Sequence, residues 1–233
     1  MKKTSTTEDN LLLEIKEAIL TGVLKPGEKI NQDKVAEMFN VSRTPLRTVL
    51  TTLVNSGLVS YQSNKGFKVR EFSIEEIKNA VIVRSELEGL ACKLATKNIS
   101  SKQISNLEHL LFIGDSILKD ESFYEKKDDY KKMNIEFHTC LMDYAGNPIL
   151  KETLDKIYSV PLISDRIILF NDRDILIRSH DDHHRIVRAI KNDDGTRAQN
   201  IMREHVLFAI EYMISHINES NYATFLQVSN NHF

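Results

Sequence analysis

From Ser73 onward the sequence repeats its apolar residues at helical spacing and shows no convincing alternation of period two. No other feature constrains the fold as much. Six stretches, 74–98, 101–119, 123–145, 148–170, 173–192 and 194–218, each carry a stripe with a period near 3.6. The breaks between them are short: Asn98-Ile99-Ser100, Asp120-Glu121-Ser122, Gly146-Asn147-Pro148, Asn171-Asp172 and Asn192-Asp193-Asp194-Gly195. A one-sided helix must bury its stripe against another element, and short connections make neighbours pack antiparallel. Residues 73–220 are therefore expected to form an antiparallel all-helical bundle of six helices, with 221–233 as a polar tail.

The first 72 residues read differently. Apolar residues at 11, 12, 15, 18 and 19 predict a helix from Asn10 to Leu20, with Gly22 as its stop. Lys25-Pro26-Gly27-Glu28 is a turn signal. Gln32–Phe39 predicts a short helix with Val35, Ala36 and Phe39 inward, and Asn40 suits a sharp turn because asparagine tolerates φ > 0. Ser42 is a good N-cap for the next helix, and Pro45 falls in its first turn, where a missing N–H costs little. Leu46, Val49, Leu50 and Leu53 repeat as its buried face, and Gly57 ends it. Leu58–Tyr61 and Phe67–Arg70 are β-prone runs around Ser63-Asn64-Lys65-Gly66 and predict a hairpin. Three helices and a hairpin make a winged helix-turn-helix. Arg43 and Arg47, one turn apart, can offer two forked cations to guanine O6 and N7 in the major groove. A solvated helix face on a scaffold or protein-docking module is the alternative.

Composition narrows the setting. With 41% apolar and 27% charged residues the chain reads as an ordinary globular protein. MKKTSTTEDN has no apolar segment behind its lysines, and no run is long enough to cross a bilayer, so neither export nor a membrane is expected. Cys92 and Cys140 lie in helical stretches and read as buried free thiols, which favours a reducing cytoplasm. Residues 1–70 hold 11 Lys and Arg against 7 Asp and Glu, a net of +4, within a chain whose net charge is −2. A basic front on an acidic remainder suggests that only the front meets a polyanion.

Taken together, the motifs resemble the GntR family of bacterial transcription regulators, in the FadR-like branch with an FCD-type effector domain. Leu24-Lys25-Pro26-Gly27-Glu28 is similar to that family's L-x-P-G-E turn, and Val41-Ser42-Arg43-Thr44-Pro45-Leu46-Arg47 to its recognition element. Asn55-Ser56-Gly57-Leu58-Val59 and Gly66-Phe67-Lys68-Val69 resemble the segments that lead into and build its wing. Further on, Arg84 to Glu88 resembles R-x-x-x-E, and Phe137-His138 followed by Gly146-Asn147-Pro148 resembles F-H … G-N-P. His183 to Ala189 and Ala198 to His205 resemble the last two histidine motifs. Six helices after the wing are similar to the VanR-type subgroup. The resemblance implies that Ser42 and Thr44 contact phosphate and bases beside Arg43 and Arg47. It also implies that the wing tip, Ser63, Asn64, Lys65 and Gly66, follows the adjacent minor groove. Where some members carry an arginine this chain has Asp33, which puts one such contact in doubt.

Asn134 and His138 are four apart and share a helix face, while His183 and His205 fall on the last two helices. Spacing alone does not select a site among eight histidines, and His180 and His184 compete with His183. His109, His216 and His232 read as ordinary surface or satisfied residues. The resemblance implies that His138, His183 and His205 hold a divalent metal ion, Zn²⁺ or Ni²⁺, with Asn134 as a fourth ligand. An amide at 134 leaves the ion its full charge, which suits a small carboxylate metabolite as effector. Arg84 would be a second anchor for that carboxylate, although an intrahelical pair with Glu88 reads equally well. The expected function is a ligand-responsive DNA-binding regulator, a repressor acting as a homodimer on an inverted-repeat operator. The alternatives are a metal-dependent hydrolase fused to a winged helix and a ligand-free dimerisation module. No carboxylate is evidently paired with the histidines as a general base, Asp181 and Asp182 being read as pointing elsewhere.

Overall fold

The computed structural model describes residues 4–20, 22–158 and 173–215. The expected polar tail, residues 159–170 of the fourth bundle helix, the end of the sixth, His216 and His232 lie outside them. The chain forms two compact units that divide between Ile77 and Lys78.

The first unit contains α1 (Thr4–Leu20), α2 (Gln32–Met38), α3 (Arg43–Asn55), β1 (Val59–Gln62) and β2 (Gly66–Val69). Helix α1 starts earlier than the predicted Asn10; the segment Thr4–Asn10 has no apolar residues, so no period is readable there. Its Leu11, Ile15, Ala18 and Ile19 are buried in one core with Leu46, Val49, Leu50 and Leu53 of α3. Asn31 caps α2, its side-chain oxygen accepting the N–H groups of Asp33 and Lys34 at 3.0 and 3.3 Å. Asn40 takes the sharp turn at φ +52°. Ser42 has the extended backbone of an N-cap, yet its hydroxyl makes no cap hydrogen bond. That hydroxyl is not held by the helix end.

The hairpin pairs Val59 with Val69 through to Gln62 with Gly66, one residue displaced from the predicted strands. A third edge was not foreseen. Ile30 N–H donates to Phe67 at 2.9 Å, Val69 N–H to Glu28 at 2.9 Å and Gly27 N–H to Val69 at 3.0 Å. Four residues after a Pro-Gly turn are too few to show alternation, so only the folded pairing reveals them.

Among the described residues, the elements of the second unit are all α-helices. Helix α4 (Ile74–Asn98) opens on a capping box in which Ser73 Oγ accepts Glu76 N–H at 3.1 Å and Glu76 Oε2 accepts Ser73 N–H at 2.9 Å. It is followed by α5 (Ser101–Lys119), α6 (Phe123–Tyr144), α7 (Pro148–Ile157), α8 (Arg173–Lys191) and α9 (Gly195–Ser215). Asn106, early in α5, donates to the Tyr144 hydroxyl at the end of α6, so these two run antiparallel. Arg173 at the start of α8 reaches the Leu118 carbonyl at the end of α5, while Lys191 meets Glu108, so α5 and α8 do too. Ala91 of α4, Met142 and Ala145 around the end of α6, and Leu150 and Leu154 of α7 form a shared core. Cys92 is buried, whereas Cys140 is only partly so; both are free, and burial raises both thiols above their ordinary pKa.

Candidate functional site

Two constellations stand out, one in each unit. In the first, α3 buries its leucines and leaves Ser42, Arg43, Thr44, Arg47, Thr48 and Thr51 exposed. Gln32, Asp33, Arg43, Thr44 and Arg47 border one shallow groove, with Thr48 beside them. The Thr48 and Thr51 hydroxyls donate back to the carbonyls of Thr44 and Arg47, at 3.3 and 2.9 Å. Asp33 does more than replace a cation: its carboxylate pairs with Arg43 Nε across the turn. Ser63, Asn64 and Lys65 are exposed at the hairpin tip. Gly66 has φ +84°, and a Cβ there would meet nothing within 4 Å. Its glycine is demanded by the backbone angle, and the space around it is open.

In the second unit His138 of α6, His183 of α8 and His205 of α9 are all buried, and one ring nitrogen from each lies within 4.8 Å of the others. His183 Nε2 and His205 Nε2 are 3.4 Å apart. Asn134 is buried one turn before His138 on the same helix. Phe137 stacks on the His183 ring with centroids 4.3 Å apart. His183 Nδ1 has no hydrogen-bond partner among the described residues. Burial first, then the neighbouring imidazoles, hold His183 well below its ordinary pKa, so it is neutral at pH 7. A neutral imidazole is the form that ligates a metal. The helix geometry also separates the three candidates on α8: His183 turns into the cluster, and His180 and His184 turn to Asp115 of α5.

Carboxylates do back this cluster, which corrects the sequence-based expectation. Glu88 Oε2 lies 2.6 Å from His138 Nδ1, and Asp182 Oδ2 lies 3.8 Å from His205 Nδ1. Asp182 is buried rather than turned away, and its other oxygen accepts Arg185 at 2.6 Å. Glu88 also accepts the Tyr158 hydroxyl at 2.8 Å and an N–H from Arg84 Nε. Of the two readings of Arg84, the intrahelical pair with Glu88 is therefore formed, and the guanidinium also lies 5.2 Å over the Tyr158 ring. Burial opposes ionisation of Glu88, but Arg84 and then His138 outweigh it and hold its carboxyl well below the usual range. Glu88 on Nδ1 of His138 fixes that ring so that its Nε2 faces the cluster, the arrangement found behind most metal-ligating histidines. The residues present thus fit a borderline divalent ion.

Residues 7–69 match the family of bacterial regulatory proteins named gntR, and residues 80–208 match the FCD domain. Among curated relatives, the HTH-type transcriptional regulator LutR of Bacillus subtilis is 29% identical over 223 residues, covering 87% of this chain and 99% of its own. The HTH-type transcriptional repressor RspR of Escherichia coli is 24% identical over 202 residues, 85% of either chain. The solved structure of E. coli McbR/YncC has the same fold, with a TM-score of 0.70 at 22% identity over 91% of this chain and 98% of its own.

Proposed function

The chain belongs to the GntR family of bacterial regulatory proteins, with an FCD domain, and is a DNA-binding transcriptional regulator rather than an enzyme; from that premise we propose that it is a metabolite-responsive repressor whose metal-loaded helical unit senses a small organic acid. The observation that carries the proposal is the convergence of three buried imidazoles from three helices, with His138 hydrogen-bonded to the Glu88 carboxylate. Asn134, His138, His183 and His205 would hold the ion. When bound, the ion supplies a Lewis-acidic centre with positions open to a carboxylate. Glu88 would orient the ring of His138, Asp182 places a carboxylate 3.8 Å from His205 Nδ1, and Phe137 covers one face of the His183 ring. Glu88 is already matched by Arg84, so it removes little of the positive charge a divalent ion would bring. Arg84 becomes a second anchor only by sharing its guanidinium between Glu88 and the incoming acid.

At the other end, Arg43 and Arg47 would read guanines. Ser42 and Thr44 would touch phosphates and bases at the helix start, and Ser63, Asn64, Lys65 and Gly66 would follow the minor groove. A cytoplasmic homodimer on an inverted repeat completes the reading. The acid must favour one arrangement of the dimer over another, since a ligand with no preference shifts nothing. The test is fluorescence anisotropy with DNA from the regulator's own upstream region, with Zn²⁺ present, across a panel of small carboxylates. In the His138→Ala variant, DNA affinity should persist while the response to any active carboxylate disappears. A response that survives the substitution overturns the metal-centred account.

A further inference from the structure

We propose that Asp115, His180 and His184 form a second divalent-cation site, separate from the three-histidine cluster, at the contact of α5 with α8. The two histidines are four apart on α8 and face the same residue of α5. Asp115 Oδ1 lies 3.0 Å from His184 Nε2 and 3.4 Å from His180 Nε2, and all three donor atoms fall within 4.8 Å of one another. Zinc–nitrogen and zinc–oxygen bonds of about 2.0–2.2 Å in a tetrahedron place neighbouring donors roughly 3.3–3.5 Å apart. The His180–Asp115 edge already has that length and the His184–Asp115 edge is close to it. Two imidazoles and one carboxylate select Zn²⁺, Co²⁺, Ni²⁺ or Fe²⁺ over Ca²⁺ or Mg²⁺.

The site is built on a fixed base and opens outward. The His180 ring is buried, and Gly114 makes room for it: a Cβ there would come within 2.2 Å of the ring Cε1. A glycine in mid-helix costs about 1 kcal/mol against alanine, so a close approach of this kind is its physical reason. Tyr130 meets the same ring edge-on at 5.8 Å. Asp115 and His184 are instead about one third exposed, 35% and 36%, and border a groove with Glu108, Arg188 and Lys191. An ion can therefore enter from solvent and retain positions for water or an anion. Without an ion, the His184 N–H donates to Asp115 and that of His180 to the Leu111 carbonyl at 3.1 Å. Coordination through Nε2 moves each ring proton to Nδ1 and needs no net proton release. The hydrogen bonds lost in the exchange lower the affinity of this site.

The test is metal content of the full-length protein after equilibrium dialysis against Zn²⁺, with the ions located by anomalous diffraction at the zinc edge. Wild type should hold one more ion per chain than Asp115→Asn or His184→Asn, with anomalous density between α5 and α8. Both variants should keep the wild-type circular dichroism spectrum, since both side chains are partly exposed. Equal metal content in wild type and variants, or anomalous density confined to the inner cluster, overturns the proposal. Outer density without inner density would uphold it and defeat the metal reading of His138, His183 and His205.

Discussion

Arg84→Met and Glu88→Gln, made singly and together, probe what holds the helical unit's polar interior. The two side chains are 6% and 2% exposed, so water cannot replace a lost partner. Glu88→Gln keeps the shape and an oxygen for the Tyr158 hydroxyl, but removes the negative charge that faces Arg84 and His138. Arg84→Met keeps apolar bulk over the Tyr158 ring, but leaves the buried carboxylate only His138 and the Tyr158 hydroxyl. Breaking one side of a buried pair costs about 3–5 kcal/mol, whereas replacing both sides by neutral groups is often close to neutral. At roughly 2–4 °C per kcal/mol for a unit of this size, each single variant should melt about 6–20 °C lower. The double variant should melt above either single one, a coupling of at least about 2 kcal/mol. Calorimetry on the full-length protein in chelator, following the transition of the helical unit, gives all four values without a metal contribution. Additive losses would refute the idea that mutual neutralisation, rather than separate packing, keeps Arg84 and Glu88 in the interior.

Three further outcomes are expected. Asn134→Asp should tighten Zn²⁺ binding in a competitive chelator titration, because it adds a charged oxygen beside three neutral rings; unchanged affinity would remove residue 134 from the ligand set. Leu50→Ala should cost the first unit about 2–5 kcal/mol by urea unfolding, since that side chain is wholly buried between α1 and the hairpin core. Ser73→Ala should cost about 0.5–2 kcal/mol through loss of the α4 capping box. Glu76 of that box is held below its ordinary pKa, chiefly by the Ser73 N–H. Its contribution is therefore present above the unfolded carboxylate pKa and lost as pH falls through the lower folded value. The wild-type advantage over Ser73→Ala should shrink below about pH 4 in acid unfolding, and a constant advantage would contradict the assignment.

The six helices after the wing were legible because each carries enough apolar turns for its period to show. The same holds for α3, whose leucines repeat over thirteen residues. Legibility failed where structure depends on register between elements. Glu88 is fifty residues from His138, and only the alignment of α4 with α6 brings its carboxylate to Nδ1. Asp182 looked diverted by its place beside His183, yet a helix side chain one residue away can face a different neighbour, here α9. Likewise, nothing in the run His180-Asp181-Asp182-His183-His184 tells which histidine turns inward; the motif resemblance selected His183, and the packing of α5 explains where the other two go. The strand-like edge at Gly27–Ile30 was hidden for a simpler reason: its partners, Phe67 and Val69, define it, not its own residues.

Asp33 alters how the two arginines of α3 divide their work on the proposed DNA-reading face. Arg43 and Asp33 are both well exposed, at 73% and 64%, and a pair in that setting contributes about 0–1 kcal/mol. A bidentate arginine–guanine contact discriminates by about 1–3 kcal/mol, so the correct base can take Arg43 away from Asp33. At an incorrect base Arg43 has a partner to return to, and the mismatch costs it less than it would an isolated cation. Arg47 has no ion pair of this kind among the described residues, so a wrong base leaves it nothing comparable to fall back on. The same carboxylate lowers the attraction of residues 1–70, whose net charge is only +4, toward DNA of any sequence. On the proposed reading Arg47 would therefore carry more of the base discrimination than Arg43, and Asp33 would lower affinity for DNA of any sequence while blunting the discrimination made by Arg43.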